Sequence, residues 1–417
     1  MDINFTNLGS VVDTIIDYRG KTPLKLGGNW KESPEGNFRA FSAKNIKTGK
    51  IVQPDEIRFV SPELYKKWMK LEIKRGDILI TSEAPFGQIF YWDSDEKIVL
   101  SQRLFAVRIK PEIYDKYAYY YMTSSGFQGE MKARSTGSTV EGLRQPALLR
   151  CNFAYPKFES QKKIANMLYN YDLLINNNYE RIELLEQMAE SLYKEWFVKF
   201  RFPGIKSKKH HNGIPEGWEY KKFSELYSFS RGISYSSEEI ECEEGMNLIN
   251  LKNIASYGGF RRDGTKKYDG KFKQEQLVKY KDLIMGVTDM TQDRRTVGAV
   301  ALIPEISGVI SADLVKLNSK LSNVFSYCLF KYGFYSKLIS QFGNGANVIH
   351  LKPGSIKNQK ILLPTQDLID RFVSLIEPTI DEIEKLNNEI ELLTLERDSL
   401  LPRLMSGKLS VEGKEIV

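Results

Sequence analysis

The stretch IANMLYNYDLLINNNYERIELLEQMAESLYKEW, residues 164–196, sets Ile164, Leu168, Tyr171, Ile175, Asn178, Ile182, Leu185, Ala189, Leu192 and Trp196 at alternating steps of four and three. This is the a/d spacing of a coiled-coil seam with one polar member. The second half of the chain carries the same spacing at Phe372, Ile376, Thr379, Ile383, Leu386, Ile390, Leu393, Arg397, Leu400 and Leu404. Helices of roughly 35 to 40 residues span about 50 to 60 Å, far beyond an ordinary core helix. Each seam therefore needs a partner, and each is expected to be the other's. Pro378 should kink or restart the second helix, and Pro402 should end it.

Both seams belong to a larger repeat. Lys44-Asn45-Ile46 returns as Lys252-Asn253-Ile254, Tyr119 as Tyr327, Gly137 as Gly345, Pro156 as Pro364, and Ile182-Glu183-Leu184-Leu185 as Ile390-Glu391-Leu392-Leu393, always 208 residues later. Upstream of about Tyr117 the register slips, with Asp77 resembling Asp282 and Ser101 resembling Ser311. Tandem duplication followed by loop divergence leaves that pattern. In each half, short strand-like runs precede the helix, as in Asp77-Ile78-Leu79-Ile80-Thr81 and Leu104-Phe105-Ala106-Val107-Arg108-Ile109. The expected fold is α+β: two similar mixed α/β domains, residues 1–157 and 214–365, separated by a long antiparallel two-helix coiled coil with pseudo-twofold symmetry. The spacer helices are expected at 158–200 and 366–404, a basic linker at 201–213 and a tail at 405–417. Antiparallel pairing would set the two globules at opposite ends of the spacer.

Composition narrows the function. The 417 residues include 60 Lys and Arg against 53 Asp and Glu, a net charge of +7 that permits a polyanionic partner. Three distant cysteines, Cys151, Cys242 and Cys328, make no disulfide framework, and His210, His211 and His350 are too few for a histidine-rich metal site. A reducing cytoplasm is the expected location. Asp2 stands where a signal peptide needs positive charge, and apolar runs such as Ala299-Val300-Ala301-Leu302-Ile303 are too short to span a membrane.

Catalytic patterns fail on inspection. Gly20-Lys21-Thr22 lacks the earlier glycine of a phosphate-binding loop, with Ile15 in its place, and Pro23 removes a needed N–H. Pro54-Asp55 with Glu72-Ile73-Lys74 imitates a metal-dependent nuclease, but the second half has no counterpart. No prolines are adjacent, as a base-methylating loop would require, and no Ser/His/Asp or Cys/His set recurs in both halves. The chain is expected to be non-catalytic, with no metal or cofactor of its own.

Two similar domains on a rigid spacer suit duplex DNA, whose charges and groove features repeat along an axis. The loops supply appropriate chemistry. In the first half the candidate DNA contacts are Arg19, Lys21, Thr22, Lys44, Asn45, Arg103, Arg134, Ser135, Thr136, Ser138 and Thr139. In the second they are Arg231, Lys252, Asn253, Arg261, Arg262, Arg294, Arg295, Asn344 and Asn347. Arginine and lysine can neutralise phosphates or read guanine, and asparagine can pair with adenine.

Four further segments make the pattern specific: Gly213-Ile214-Pro215-Glu216-Gly217-Trp218-Glu219, Gln161-Lys162-Lys163-Ile164-Ala165, Trp196-Phe197-Val198-Lys199-Phe200, and Leu400-Leu401-Pro402-Arg403-Leu404-Met405-Ser406-Gly407-Lys408. With the duplication, they make essentially the whole chain resemble the specificity subunit of a Type I restriction–modification enzyme. That resemblance implies two target-recognition domains, each reading half of a bipartite double-stranded DNA sequence. It also implies a helical spacer docking two methyltransferase subunits, here through Ile164, Leu168, Ile175, Ile182, Leu185, Leu192, Trp196, Ile376, Ile383, Leu386, Ile390, Leu393 and Leu400. S-adenosylmethionine, ATP and Mg would belong to partner subunits, with restriction subunits completing the assembly. One departure is that Thr365-Gln366-Asp367-Leu368-Ile369-Asp370-Arg371 stands where the first half has Lys157-Phe158-Glu159-Ser160-Gln161-Lys162-Lys163. The competing readings are a nuclease using Asp55, Glu72 and Lys74, and a coiled-coil adaptor with no nucleic-acid role.

Overall fold

The computed structural model describes residues 2–137, 141–204, 210–211, 213–240 and 242–411. It divides into two compact units, Met1–Asn176 with Ile390–Val417, and Asn177–Glu389. Each unit holds a strand-rich region and a length of both long helices.

In the first unit, Asn4–Asn7 pairs antiparallel with Asn152–Tyr155, fastening the start of the region to its end. A four-stranded antiparallel sheet runs in the order Val12–Asp17, Leu104–Ile109, Ile78–Thr81, Ile89–Tyr91. Its two central strands are buried on both faces, which is why they read as continuous apolar runs without alternation. One face packs Ile80, Phe105 and Val107 against Tyr117 and Phe127 of the helices Asp115–Thr123 and Ser125–Ala133. The other packs Leu79 and Ala106 with Trp68 and with Phe41 of a second sheet, Arg58–Val60, Phe38–Phe41, Val99–Leu100.

The second unit repeats this order. Glu219–Lys222 pairs with Lys360–Leu363, and the four-stranded sheet runs Tyr227–Arg231, Leu314–Ser319, Leu283–Gly286, Val300–Leu302. Met246–Ile249 lies parallel to Gly308–Ile310, as Phe38–Phe41 lies parallel to Val99–Leu100. Two turns recur in chemical detail. Asn45 Oδ1 accepts the Ser42 amide at 3.1 Å, and Asn253 Oδ1 accepts the Asn250 amide at 2.9 Å. Asp77 Oδ2 accepts from the Lys74 amide at 2.8 Å, and Asp282 Oδ2 from the Lys279 amide at 2.9 Å. A cation from the adjacent strand closes each aspartate: Arg108 Nη2 at 2.8 Å and Lys316 Nζ at 2.7 Å. A buried carboxylate left without its cation would be strongly destabilising, so carboxylate and cation persist together.

The first long helix spans Phe158–Tyr193 and passes into a π-helical turn, Lys194–Val198; the second spans Gln366–Met405. None of the twenty seam positions is exposed, whereas Leu173, Leu184, Met188, Leu392 and Leu395, off the seam, all are. Within the first unit, Ile164 and Leu168 share a core with Leu404 and Met405. The seam arginine there, Arg397, meets Asp172 Oδ1 at 2.6 Å, and the same carboxylate accepts from Tyr120. Within the second unit, Arg181 pairs with Glu382 at 3.0 Å, and the Tyr193 and Phe372 rings lie 6.0 Å apart. In each unit rising numbers on one helix meet falling numbers on the other, so the pairing is antiparallel.

Pro378 and Pro402 neither restart nor end the second helix, correcting the expectation from sequence. Each deletes one N–H from the ladder. The flanking Phe372, Ile376 and Leu404 are no more than 1% exposed, and their burial holds the helix through the lost bonds. The stop comes at Gly407, whose φ of 71° makes a left-handed cap and whose amide donates to the Leu404 carbonyl at 3.2 Å.

The quoted segments are structural joints. Trp218 packs against Phe197, Phe200 and Phe202, and Phe197 reaches Phe372 with ring centroids 4.8 Å apart. Gln161, 1% exposed, accepts the Tyr114 amide at 2.8 Å and donates to the Pro156 carbonyl at 2.9 Å, pinning the helix start.

Candidate nucleic-acid interface

In the first unit three loops converge at one end of the four-stranded sheet. An open cleft of about 820 Å³ is lined by Arg19, Gly20, Thr22 and Lys25 from one loop, Ser82, Glu83, Gln102 and Arg103 from the sheet ends, and Thr136, Gly142 and Arg144 from a hairpin. Four cations thus face two carboxylates, Asp17 and Glu83. A second cavity of about 270 Å³, walled by Trp30, Lys44, Asn45 and Arg58, shares Thr22, Gln102 and Arg103 with the cleft.

Asp17 sets the first loop. It accepts from Arg19 Nε at 3.0 Å, Nη2 at 2.6 Å and the Arg19 amide at 3.0 Å, and Gln145 donates to it as well. Burial alone would raise the Asp17 carboxyl, but these donors and the guanidinium charge hold it below the usual range. The Arg19 guanidinium also stacks over Phe105 at 4.9 Å, so it is held in position before any ligand arrives. The hairpin is fastened by Thr136, which exchanges backbone bonds with Gly142 at 3.0 and 2.9 Å.

The second unit places an equivalent hairpin 208 residues later, where Asn344 pairs with His350. Its tip needs glycine: Gly345 has φ of 149°, and a Cβ there would lie 1.8 Å from the Val348 carbonyl oxygen. Beside it runs the loop Asp289–Thr296, tied on by Gln292, which donates to the Ala346 carbonyl. Asp289, 2% exposed, holds that loop by accepting the amides of Thr291 and Thr296, both at 2.7 Å. Burial pushes the Asp289 carboxyl up, and the Thr296 and Thr291 donors more than offset this, leaving it below the ordinary value. Arg294, Arg295, Asn344 and Asn347 are thereby brought onto adjoining loops. Arg294 and Arg295 also line a cavity of about 570 Å³ with Tyr257, Phe334 and Lys337.

Other candidate residues are committed elsewhere. Asn45 and Asn253 are 1% and 0% exposed and close the turns described above, so neither presents an amide edge to a base in this conformation. Arg262 lies against the second long helix, 2.7 Å from Glu384 and 2.8 Å from Asn388 Oδ1. Lys21 donates to the Trp68 carbonyl at 2.7 Å, and burial followed by the charge of Lys70 lowers its pKa. Arg134 pairs with Glu130 at 2.6 Å, Ser135 bonds its own helix end, Lys44 pairs with Glu56, and Arg261 pairs with Asp263. Arg231 and Lys252 are exposed. Ser138 and Thr139 lie outside the described residues.

Sequence reasoning missed Lys25, Arg144, Gln102 and Glu83 in the first cleft and Tyr257 in the second unit. Arg144 carries a signal in its spacing, two residues past the glycine that closes the hairpin. The nuclease-like residues are dispersed in role: Asp55 lies in the turn Pro54–Glu56, Glu72 pairs with Lys97 at 3.0 Å, and the Lys74 amide serves Asp77. Among the described residues no group of three or more His, Cys, Asp or Glu side chains could hold a metal ion, and no helix is long and apolar enough to cross a membrane.

The chain is similar to known proteins. The Type I restriction modification DNA specificity domain matches the chain twice, over residues 2–187 and 215–392. The MjaIX specificity subunit of Methanocaldococcus jannaschii is 29% identical over 356 residues, covering 81% of this chain and 78% of that one. The MjaVIII specificity subunit of the same organism is 22% identical over 413 residues, covering 96% and 92%. Among solved structures, the S subunit of a Type I restriction–modification system from M. genitalium superposes with a TM-score of 0.60 at 16% identity, over 97% of this chain and 96% of that one, so the fold is shared. With two family domains spanning most of its length, each built on a duplicated strand-and-hairpin frame, the chain belongs to the Type I restriction–modification specificity subunits.

Proposed function

We propose that this subunit reads a bipartite double-stranded DNA target, one half-site per unit, with residues 1–157 and 214–365 as the recognition domains. The carrying observation is the pair of equivalent hairpins, at Thr136–Gly142 and Asn344–His350, standing beside arginine-bearing loops that differ between the units. One frame with two sets of loop chemistry suits two different half-sites. The paired helices then act as a spacer that fixes the half-site separation, since one heptad adds about 10 Å of helix.

The seam holds the spacer together, and the exposed Leu173, Leu392 and Leu395 of the first unit and Leu184 and Met188 of the second offer apolar side chains for two methyltransferase subunits. The chain itself makes and breaks no bonds in this reading. S-adenosylmethionine is held by the methyltransferases, ATP and Mg serve the restriction subunits, and the assembly works in the cytoplasm. Methylation-sensitive sequencing of host DNA with and without this chain tests the proposal. A two-part methylated motif that vanishes on deletion is the expected result; a motif that persists, or one without two parts, contradicts it.

A further inference from the structure

We infer that Arg103, aimed by Glu83, reads one guanine in the half-site taken by the first unit; the inference rests on the DNA-reading proposal above.

Arg103 occupies an unusual backbone position. Its φ of 62° lies in the left-handed region, which a long side chain adopts only when the surroundings enforce it and which concentrates at functional sites. Here the enforcement is visible. The Arg103 carbonyl accepts the Ser82 amide at 2.8 Å and the Ser82 hydroxyl at 3.3 Å, while Arg103 Nε lies 3.0 Å from Glu83 Oε1. The Ser82 carbonyl in turn accepts the Leu143 amide at 3.0 Å, so the segment aiming the arginine also carries the hairpin. Both ends of Arg103 are fixed at the point where the two cavities of the first unit join.

The geometry selects a base edge over a phosphate. Glu83 meets the guanidinium at Nε, and the two terminal nitrogens carry four more N–H donors on a side chain 53% exposed. That fork matches guanine O6 and N7. A phosphate would bring its negative charge against the Glu83 carboxylate, whereas a base edge is neutral, and the carboxylate can itself accept from the amino group of a cytosine.

The second unit replaces this device. The Val287 amide donates to the Asp313 carbonyl at 2.9 Å, as Ser82 does to Arg103, and Thr288 stands where the first unit has Glu83. Thr288 Oγ1 donates to Asp313 Oδ1 at 2.9 Å, and Asp313 is not among the left-handed residues. An acceptor therefore stands where the first unit presents a donor fork, and the two half-sites must differ at this point.

The test is the methylated motif written by the complete complex carrying Arg103→Gly, a residue that suits the left-handed backbone and preserves folding. The variant is expected to melt no lower than the wild type. One guanine position in one half-site should lose its preference by about tenfold or more, the scale of a bidentate arginine contact. The other half-site and the spacing should stay unchanged. Glu83→Ala should weaken the same preference, and Glu83→Gln, which keeps an acceptor beside Nε, should restore most of it. An unaltered motif from Arg103→Gly, or an equal loss at every position of both half-sites, overturns the assignment and leaves bipartite reading standing. A wild-type complex that writes no two-part motif removes that reading, and this inference with it.

Discussion

The turn that follows Ile78–Thr81 and the turn that follows Leu283–Gly286 begin from the same frame and end as different surfaces. In the first unit the turn is short, and the Gly87 amide returns to the Thr81 carbonyl at 3.1 Å. In the second the chain travels from Gly286 to Gly298 before the equivalent bond closes at 2.9 Å, and the added length carries Asp293, Arg294 and Arg295. What stayed constant is buried: the Asp77 and Asp282 turns, the Asn45 and Asn253 turns, and the strand order. What changed stands on the rim. Duplication preserved the residues whose replacement would leave an unpaired buried group, and freed those whose partners lie outside the chain.

The largest effect that would break this comparison lies in the helices. Phe372 and Ile164 occupy the same seam position 208 residues apart, both fully buried, but Phe372 packs among Trp196, Phe197 and Phe325. Phe372→Ala should cost about 3 to 5 kcal/mol and Ile164→Ala about 2 to 5. Hydrogen exchange in mild denaturant should show protection lost in Asn177–Glu389 for the former and in the first unit for the latter. Equal loss in both units from either variant would mean they are not separate cores.

A middle-sized effect concerns DNA affinity. Among the described residues Arg294 makes one side-chain hydrogen bond, to the Ser340 carbonyl at 3.1 Å, and no ion pair, whereas Arg295 pairs with Asp293 at 2.6 Å. Arg294→Gln should therefore weaken binding by the assembled complex and lower the log–log salt slope by about one. Arg295→Gln should lower it less, and Arg103→Gly should leave it unchanged. A fall of about one for Arg103→Gly would make the two rims alike in kind.

The smallest effect is a dependence on pH. The Asp289 carboxyl lies below its ordinary value in the folded state, so its contribution is complete above the unfolded value, about 3.9. That contribution is lost as pH falls through the folded value. At the equivalent place the first unit has Ala84. Amide exchange along residues 289–297 should accelerate on acidification before that along 82–88, and simultaneous acceleration would remove Asp289 as the cause.

The seams and the repeat were legible because they depend on regular spacing, which survives in one dimension. The clefts were legible only in part. Asn45 and Asn253 have the residue type of base readers, yet nothing local tells whether an asparagine in a turn points inward or outward. Arg262 looks like a loop cation, and its partner Glu384 lies on a distant helix that carries no mark of the pairing. Glu83 and Arg103 are twenty positions apart in sequence, and the left-handed backbone of an arginine has no compositional signature. Pro378 and Pro402 misled because local helix-breaking lost to buried contacts made elsewhere.

The sharing of the long helices between units also orders synthesis. The second unit is one continuous stretch, Asn177–Glu389, and has its whole core once that stretch has left the ribosome. The first unit has Leu404, Met405 and Val411 packed with Leu8, Phe153 and Ile164, so its core is incomplete until residues 404–411 emerge. At roughly 5 to 20 residues per second, the N-terminal region waits about 10 seconds or more after Asn176 for those residues. Residues 1–176 are thus made before Asn177–Glu389 yet close after it, and during that interval they are the region that chaperones have most reason to hold.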